Sequence, residues 1–303
     1  MNPVWFLVAL RIFAKRRRDG AAARQHARMT GTPPPSVQPP PPGSLARSFD
    51  AVAGQYASAR PGYPPALFAA IEELAGRPLA GARVLDVGAG TGIATGLLTA
   101  RGASVTAVEP GAAMAAELRT AHPDVPLVRG IGEALPFAGG AGFDLVGYAQ
   151  AWHWTDPARS VPEALRVLRP GGALALWWNL PDPDVPWAAE QEARLARRLP
   201  GYHAHPIAPE APALLRGLGL GLRPECRVLH WTRRVPLDTH LAMLGSRSYF
   251  AALGPAAAAP VLEAERAALL DVFPDGTVEE AYALDLTVAR RPPMSHPAPP
   301  RRP

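Results

Sequence analysis

The chain has 303 residues, 48% hydrophobic and 19% charged, the balance of a globular protein with a sizeable core rather than a disordered or fibrous one. Its single cysteine, Cys226, excludes an intrachain disulfide framework. The formal charge of +5 belongs to the ends: residues 1–29 carry +6 and residues 290–303 carry +4, leaving about −5 between them, which is a poor match to a nucleic-acid backbone.

The apolar run from Val4 to Leu10 has most of its positive charge after it, in Lys15 to Arg18, the reverse of a secretory signal. It is also shorter than the ~20 residues that span a bilayer, so no stable membrane insertion and a cytoplasmic location are expected. This segment reads as an extension outside the fold, with Met29 the natural first residue. Seven prolines in 33–42 and six in 292–303 break helix and sheet alike. The expected organisation is therefore a basic, proline-rich extension over 1–44, one domain over 45–290 and a disordered tail over 291–303.

Within the domain, helical and strand patterns alternate. Leu67, Phe68, Ile71 and Leu74 share one face of a helix over 65–75. A buried strand over 82–87 follows, then a helix over 93–100, a strand over 104–108 and a helix over 111–120. Short strands over 126–128 and 143–148, a helix over 159–168 and a strand over 172–178 continue the series. Strands separated by helices of about ten residues specify parallel crossovers and a doubly wound α/β sheet. Residues 181–222, with a helix over 188–199, read as an insertion able to cap the sheet. A sixth strand over 224–235, helices over 237–250 and 256–272, and a last strand over 277–290 complete the domain, Leu284, Leu286 and Val288 alternating in the last. His203 and His205 have no third ligand at useful spacing, so no metal site is expected.

In such sheets ligands bind beyond the carboxyl ends of the strands, which makes the residues there the candidates. After the first strand stand Asp86, Gly88, Gly90 and Gly92, and glycines let a backbone turn sharply and approach a ligand closely. A dinucleotide fingerprint would need glycine where Ile93 stands. Glu109 ends the second strand, 21 residues beyond Gly88, where a carboxylate can accept from ribose hydroxyls. Gln150, Ala151, Trp152, His153 and Trp154 follow the fourth strand; the two tryptophans suit either a ligand wall or the core.

These blocks resemble the class I S-adenosylmethionine-dependent methyltransferases. The resemblance rests on Val84 to Gly92, Ala107 to Pro110, Gly130 to Phe137, Phe143 to Val146 and Arg166 to Gly172, five blocks in family order over about 90 residues. A narrower similarity, to the trans-aconitate and ubiquinone-biosynthesis methyltransferase-like subgroup, rests on Phe49 to Pro64, the 151–154 block and Trp178. It implies a Rossmann-like, doubly wound sheet of seven strands, mostly parallel with an antiparallel last strand, and a small helical cap. It further implies S-adenosyl-L-methionine as cofactor, with Gly88 and Gly90 at its methionine part, Asp86 orienting the loop or meeting its ammonium, and Glu109 on the ribose. Ile131 and Gly132 would face the adenine, although the family often has an acid and an alanine at these two positions. Gln150 and Ala151 would line the cofactor, Tyr56 would belong to the entry segment and cofactor site, and Arg60 would pair with a carboxylate of cofactor or substrate. Trp152, Trp154 and Trp178 are expected at the acceptor, and His153 is the candidate base for an acceptor that carries a proton.

The function expected is methyl transfer to a small organic acceptor, on the oxygen of a carboxylate or hydroxyl. A catalytically silent cofactor-binding module acting through a protein partner is the alternative. A nicotinamide oxidoreductase is disfavoured by Ile93 and by the Arg169 to Gly172 block.

Overall fold

A computed structural model describes residues 59–202 and 210–292. Tyr56, His203, His205 and both expected tails, apart from Arg291 and Pro292, lie outside those residues. Helix α1 (Pro65–Ala75) begins with proline at its first position and ends where Gly76, at φ 68°, returns its N–H to the last turn. There follow β1 (Arg83–Val87), α2 (Ile93–Thr99), β2 (Ser104–Val108), α3 (Ala112–Ala121), β3 (Leu127–Val128) and β4 (Phe143–Ala149). A single 3-10 turn (Trp152–Trp154) leads to α4 (Pro157–Val167), whose start is set by Asp156 accepting from the Ala158 N–H. The chain continues through β5 (Leu168–Pro181), α5 (Pro186–Arg198), α6 (Ala211–Gly217), β6 (Pro224–Pro236), α7 (Leu237–Gly245), α8 (Ser248–Leu253), α9 (Pro255–Val272) and β7 (Thr277–Arg290).

The seven strands lie in the order β3-β2-β1-β4-β5-β7-β6. Pairs from β3 to β5 are parallel, whereas β7 runs antiparallel to both β5 and β6, so the sheet is the Rossmann-like one expected, antiparallel last strand included. The chain winds outward from β1 through β2 to β3, then returns to place β4 on the other side of β1. The carboxyl ends of β1 and β4 therefore form the topological switch point, where such sheets hold ligands.

One face of the sheet packs α1 and α2 through Leu67, Ile71, Leu98 and Trp177; the other packs α4 and α6 through Val161, Val167, Leu215, Trp152 and Trp178. A third cluster joins α5, α7, α8 and α9 through Leu195, Leu241, Leu244, Phe250 and Leu269. Three regions differ from expectation by more than a residue or two. Strand β5 is longer at both ends: Leu168 pairs with Phe143 at its start, and pairing with β7 carries it on to Pro181. The helix expected over 237–250 is two, separated at Ser246, whose hydroxyl donates back to the Met243 carbonyl at 2.7 Å. The segment 181–222 divides: α5 joins the helical cluster, while α6 packs beside α4 and β6.

Candidate functional site

A cavity of about 340 Å³ opens at the switch point. Its walls come from the ends of β1 (Val87, Gly88, Gly90), β2 (Glu109 to Gly111) and β4 (Tyr148 to Ala151), with Ile131, Gly132 and Trp154 at its rim. A smaller cavity of about 40 Å³ shares Gly88, Gly90, Ala149 and Gln150 with it and adds Arg60, Pro61, Tyr63 and Thr91.

The glycine loop is shaped by close approach. A Cβ on Gly88, which has φ 69°, would stand 2.6 Å from that of Ala151, so only glycine lets β1 and β4 end side by side here. Gly90 also needs its positive φ, 59°, and faces open space. Its N–H donates to Glu109 Oε2 at 2.8 Å, and the Gly111 N–H donates to Oε1 at 2.7 Å. One buried carboxylate thus ties the loop after β1 to the turn after β2. Beneath the loop, Asp86 is wholly buried and accepts from the Thr95 hydroxyl at 2.6 Å. Burial pushes its carboxyl up to about 6, against the pull of Thr95 and with help from the Glu109 charge.

At the end of β4, Gln150 takes a positive φ of 55°, rare for a residue with a side chain and common where a chain is held for function. Its N–H donates to the Trp177 carbonyl at 2.9 Å and its Nε2 to the Asn179 carbonyl at 3.2 Å. The expected aromatic wall divides. Trp152 and Trp178 are both 0% exposed and belong to the core, Trp152 donating to Ser160 Oγ, and neither lines the cavity. Trp154 is 37% exposed and does line it. His153, its ring tilted 46° to that of Trp154 at 4.6 Å, accepts at Nδ1 from the Trp178 indole N–H at 3.1 Å. An indole only donates, so the neutral imidazole so held carries its proton on Nε2, and taking another at Nδ1 costs that bond.

Arg60 donates from Nε and Nη2 to the hydroxyl and carbonyl of Ser246, at 3.0 and 3.1 Å, and lines the smaller cavity. Ile131, 47% exposed, and Gly132 line the larger one; a Cβ on Gly132 would meet the Tyr148 hydroxyl at 3.0 Å, so the tyrosine fills the room an alanine would need. Glu133 accepts from the Asp156 N–H at 2.8 Å, which steadies the start of α4. Gly88, Gly90, Glu109, Ile131, Gly132, Gln150, Ala151 and Trp154 thus meet at one cavity, with Arg60 at its neighbour. Sequence reasoning missed Thr91, Tyr148 and Asn179; Thr91 lies inside a block already singled out and Tyr148 ends the strand expected over 143–148, whereas nothing local marks Asn179. Among the described residues no cluster of His, Cys, Asp and Glu could hold a metal, and no helix is long and apolar enough to cross a membrane.

A doubly wound sheet of this strand order, with a glycine loop and an acid meeting over its switch point, defines an α/β methyltransferase fold. A family model described as a methyltransferase domain matches residues 85–176. A structure from Anaeromyxobacter dehalogenans, assigned as a candidate type II methyltransferase, is 30% identical with a TM-score of 0.52, covering 77% of this chain and 97% of that one. The chain belongs to this methyltransferase family. An uncharacterized methyltransferase of Mycobacterium tuberculosis is 46% identical over 146 residues, 48% of this chain and 58% of the relative. A malonyl-[acyl-carrier protein] O-methyltransferase of Enterobacter lignolyticus is 38% identical over 122 residues, 39% of this chain and 48% of that protein. The matches thus span about half the length of these curated relatives.

Proposed function

We propose that the chain transfers a methyl group from S-adenosyl-L-methionine to an oxygen of a small organic acceptor, with a carboxylate favoured over a hydroxyl. One observation carries the cofactor reading. Four buried polar atoms without a protein hydrogen-bond partner, Asp86 Oδ1, Thr91 Oγ1, Tyr148 Oη and Gln150 Oε1, gather at the two cavities or directly beside their lining residues. Each such atom costs ~1–3 kcal/mol unless something completes it, and four of the seven among the described residues stand here, the others being Arg77 Nε, Trp177 Nε1 and Gln191 Nε2, which suits a polar ligand. The donor and acceptor set fits the cofactor: Glu109 would hold the ribose hydroxyls, Gly88 and Gly90 would pass the methionine part, and Asp86, buried beneath the loop, would orient it or meet the ammonium. Ile131 and Gly132 would flank the adenine, Gln150 and Ala151 would line its path, and Arg60 would meet a carboxylate.

When bound, S-adenosylmethionine supplies a methyl group on a cationic sulfur that is already a good leaving group. The protein's own task is then to hold position, an effect able to contribute ~7–11 kcal/mol. The glycine loop, held by Glu109, and Gln150, bonded through its N–H and Nε2 to the Trp177 and Asn179 carbonyls, are backbone suited to it. The bond from Trp178 to His153 Nδ1 favours an acceptor that already carries its negative charge, because it makes His153 a hydrogen-bond donor instead of a ready base. The O-methyltransferase relative from Enterobacter lignolyticus supports oxygen. Trp154 at the rim offers the acceptor an apolar face.

The test is incubation with methyl-labelled cofactor and a panel of small carboxylic acids and phenols, read by mass spectrometry. Alkali-labile methyl esters, formed at a rate nearly flat from about pH 6 to 8, are expected, since carboxylates are ionised across that range. Transfer to phenols alone would overturn the carboxylate, and no transfer to any acceptor would argue against the reaction.

A further inference from the structure

Asn179, near the carboxyl end of β5, joins three chain segments. It is 5% exposed. Its Nδ2 donates to the Gly62 carbonyl at 3.0 Å, its Oδ1 accepts from the Trp231 indole of β6 at 3.0 Å, and its own carbonyl accepts from Gln150 Nε2 at 3.2 Å. Two of those partners come from segments that line the smaller cavity. Gly62 lies within the segment that contributes Arg60, Pro61 and Tyr63, and Gln150 lines both cavities with its unusual backbone. Other anchors hold the same segment, with Arg233 donating to the Ala59 carbonyl at 2.8 Å and Arg60 reaching Ser246. Asn179 alone, among the bonds described, ties it to Gln150.

We propose that Asn179 is a positioning residue for the cofactor pocket: by bonding Gly62 and Gln150 together it sets the spacing of the walls on either side of the glycine loop. The proposal rests on the reading that this cavity binds S-adenosylmethionine. A carboxamide suits the role because it donates and accepts in one plane, satisfying a partly buried carbonyl and a partly buried indole N–H at once. Aspartate would keep the acceptor for Trp231 but lose the donor to Gly62. Trp231→Phe would remove the indole partner and leave the bonds to Gly62 and Gln150.

The experiment measures the dissociation constant of S-adenosylhomocysteine by calorimetry, well below the melting temperature, for the full chain and for N179A, N179D, N179S and W231F. Thermal melts and circular dichroism accompany each. Asn179→Ala and Asn179→Asp are expected to bind about tenfold more weakly while folded, the size of one well-made hydrogen bond. Trp231→Phe is expected to lose melting temperature yet bind within about threefold of the parent. A structural role alone would lower the melting temperature and leave affinity unchanged. Unchanged affinity in folded N179A, or equal weakening in W231F, overturns the proposal while leaving the cofactor reading intact. Should N179A not fold, N179S and N179D carry the same comparison. A parent chain that does not bind the probe overturns both.

Discussion

On the parallel side of the sheet, around the ends of β1 and β4, Asp86, Thr91, Tyr148 and Gln150 each leave a buried polar atom without a protein partner. On the antiparallel side, among β6, β7, α5 and α7 to α9, buried charges are closed into networks. Glu280 accepts from His240 Nδ1 at 2.7 Å, from Arg233 and from the Tyr282 hydroxyl. Glu265 takes Arg194 at 2.9 Å and Arg198 at 3.5 Å, and Arg247 takes Glu192 at 2.7 Å and Tyr202. Gln191 Nε2 is the exception there. A buried charge completed by its own protein is tolerated within a fold and costly to strand, whereas polar atoms left incomplete around a cavity are suited to a ligand. One half of the molecule closes its buried charges on itself, and the other leaves polar atoms open around a cavity.

The largest expected effect tests the closed half. Burial alone would raise Glu280, but His240, Arg233 and Tyr282 hold it down at about 2, below its ordinary 4.5. Its stabilisation is therefore complete above about pH 4.5 and is lost as pH falls toward 2. Glu280→Gln should cost ~3–5 kcal/mol by stranding Arg233, and thermal melts should show a flatter acid limb than in the parent. Cofactor affinity falling in proportion to stability would blur the contrast between the halves.

The next effect has the opposite sign. Asp86 is raised to about 6 from 3.8, so the ligand-free protein loses stability as pH rises through that window, by up to about 3 kcal/mol. Asp86→Asn should flatten that slope in denaturant melts; an unaltered slope would show that Asp86 does not cause it. Glu109→Ala should weaken S-adenosylmethionine by ~1.5–3 kcal/mol, tenfold or more, because charged hydrogen bonds are lost. It should also loosen the loop whose Gly90 and Gly111 N–H groups it holds. An unchanged dissociation constant would remove Glu109 from the ribose. Gly88→Ala should cost ~1–2 kcal/mol for its left-handed backbone, with further loss of affinity as Ala151 is displaced. Full affinity in that variant would show that the loop end does not shape the cavity.

Much of the parallel half was readable from local pattern. The alternation of apolar runs with helices of about ten residues set the strands, and Gly88, Gly90 and Glu109 stand where chain geometry must turn beyond a strand. The antiparallel half was readable only as elements. Nothing near Glu280 in the chain announces His240 or Arg233, because those bonds span about 40 residues or more and exist only once β6, β7 and α7 pack. The tryptophans show the same limit. Trp152 and Trp154 are two positions apart in one short turn, yet one is in the core and the other at the rim, a choice made by Ser160 and the α4 packing. Asn179 was missed for the same reason: its partners are 117 and 52 residues away.

The central claim, that the incomplete half holds S-adenosylmethionine, is tested most directly by calorimetric titration with that compound, its demethylated product and NAD. Micromolar binding of the first two with no response to NAD is the predicted result. Binding of NAD, or of none of the three, would contradict it.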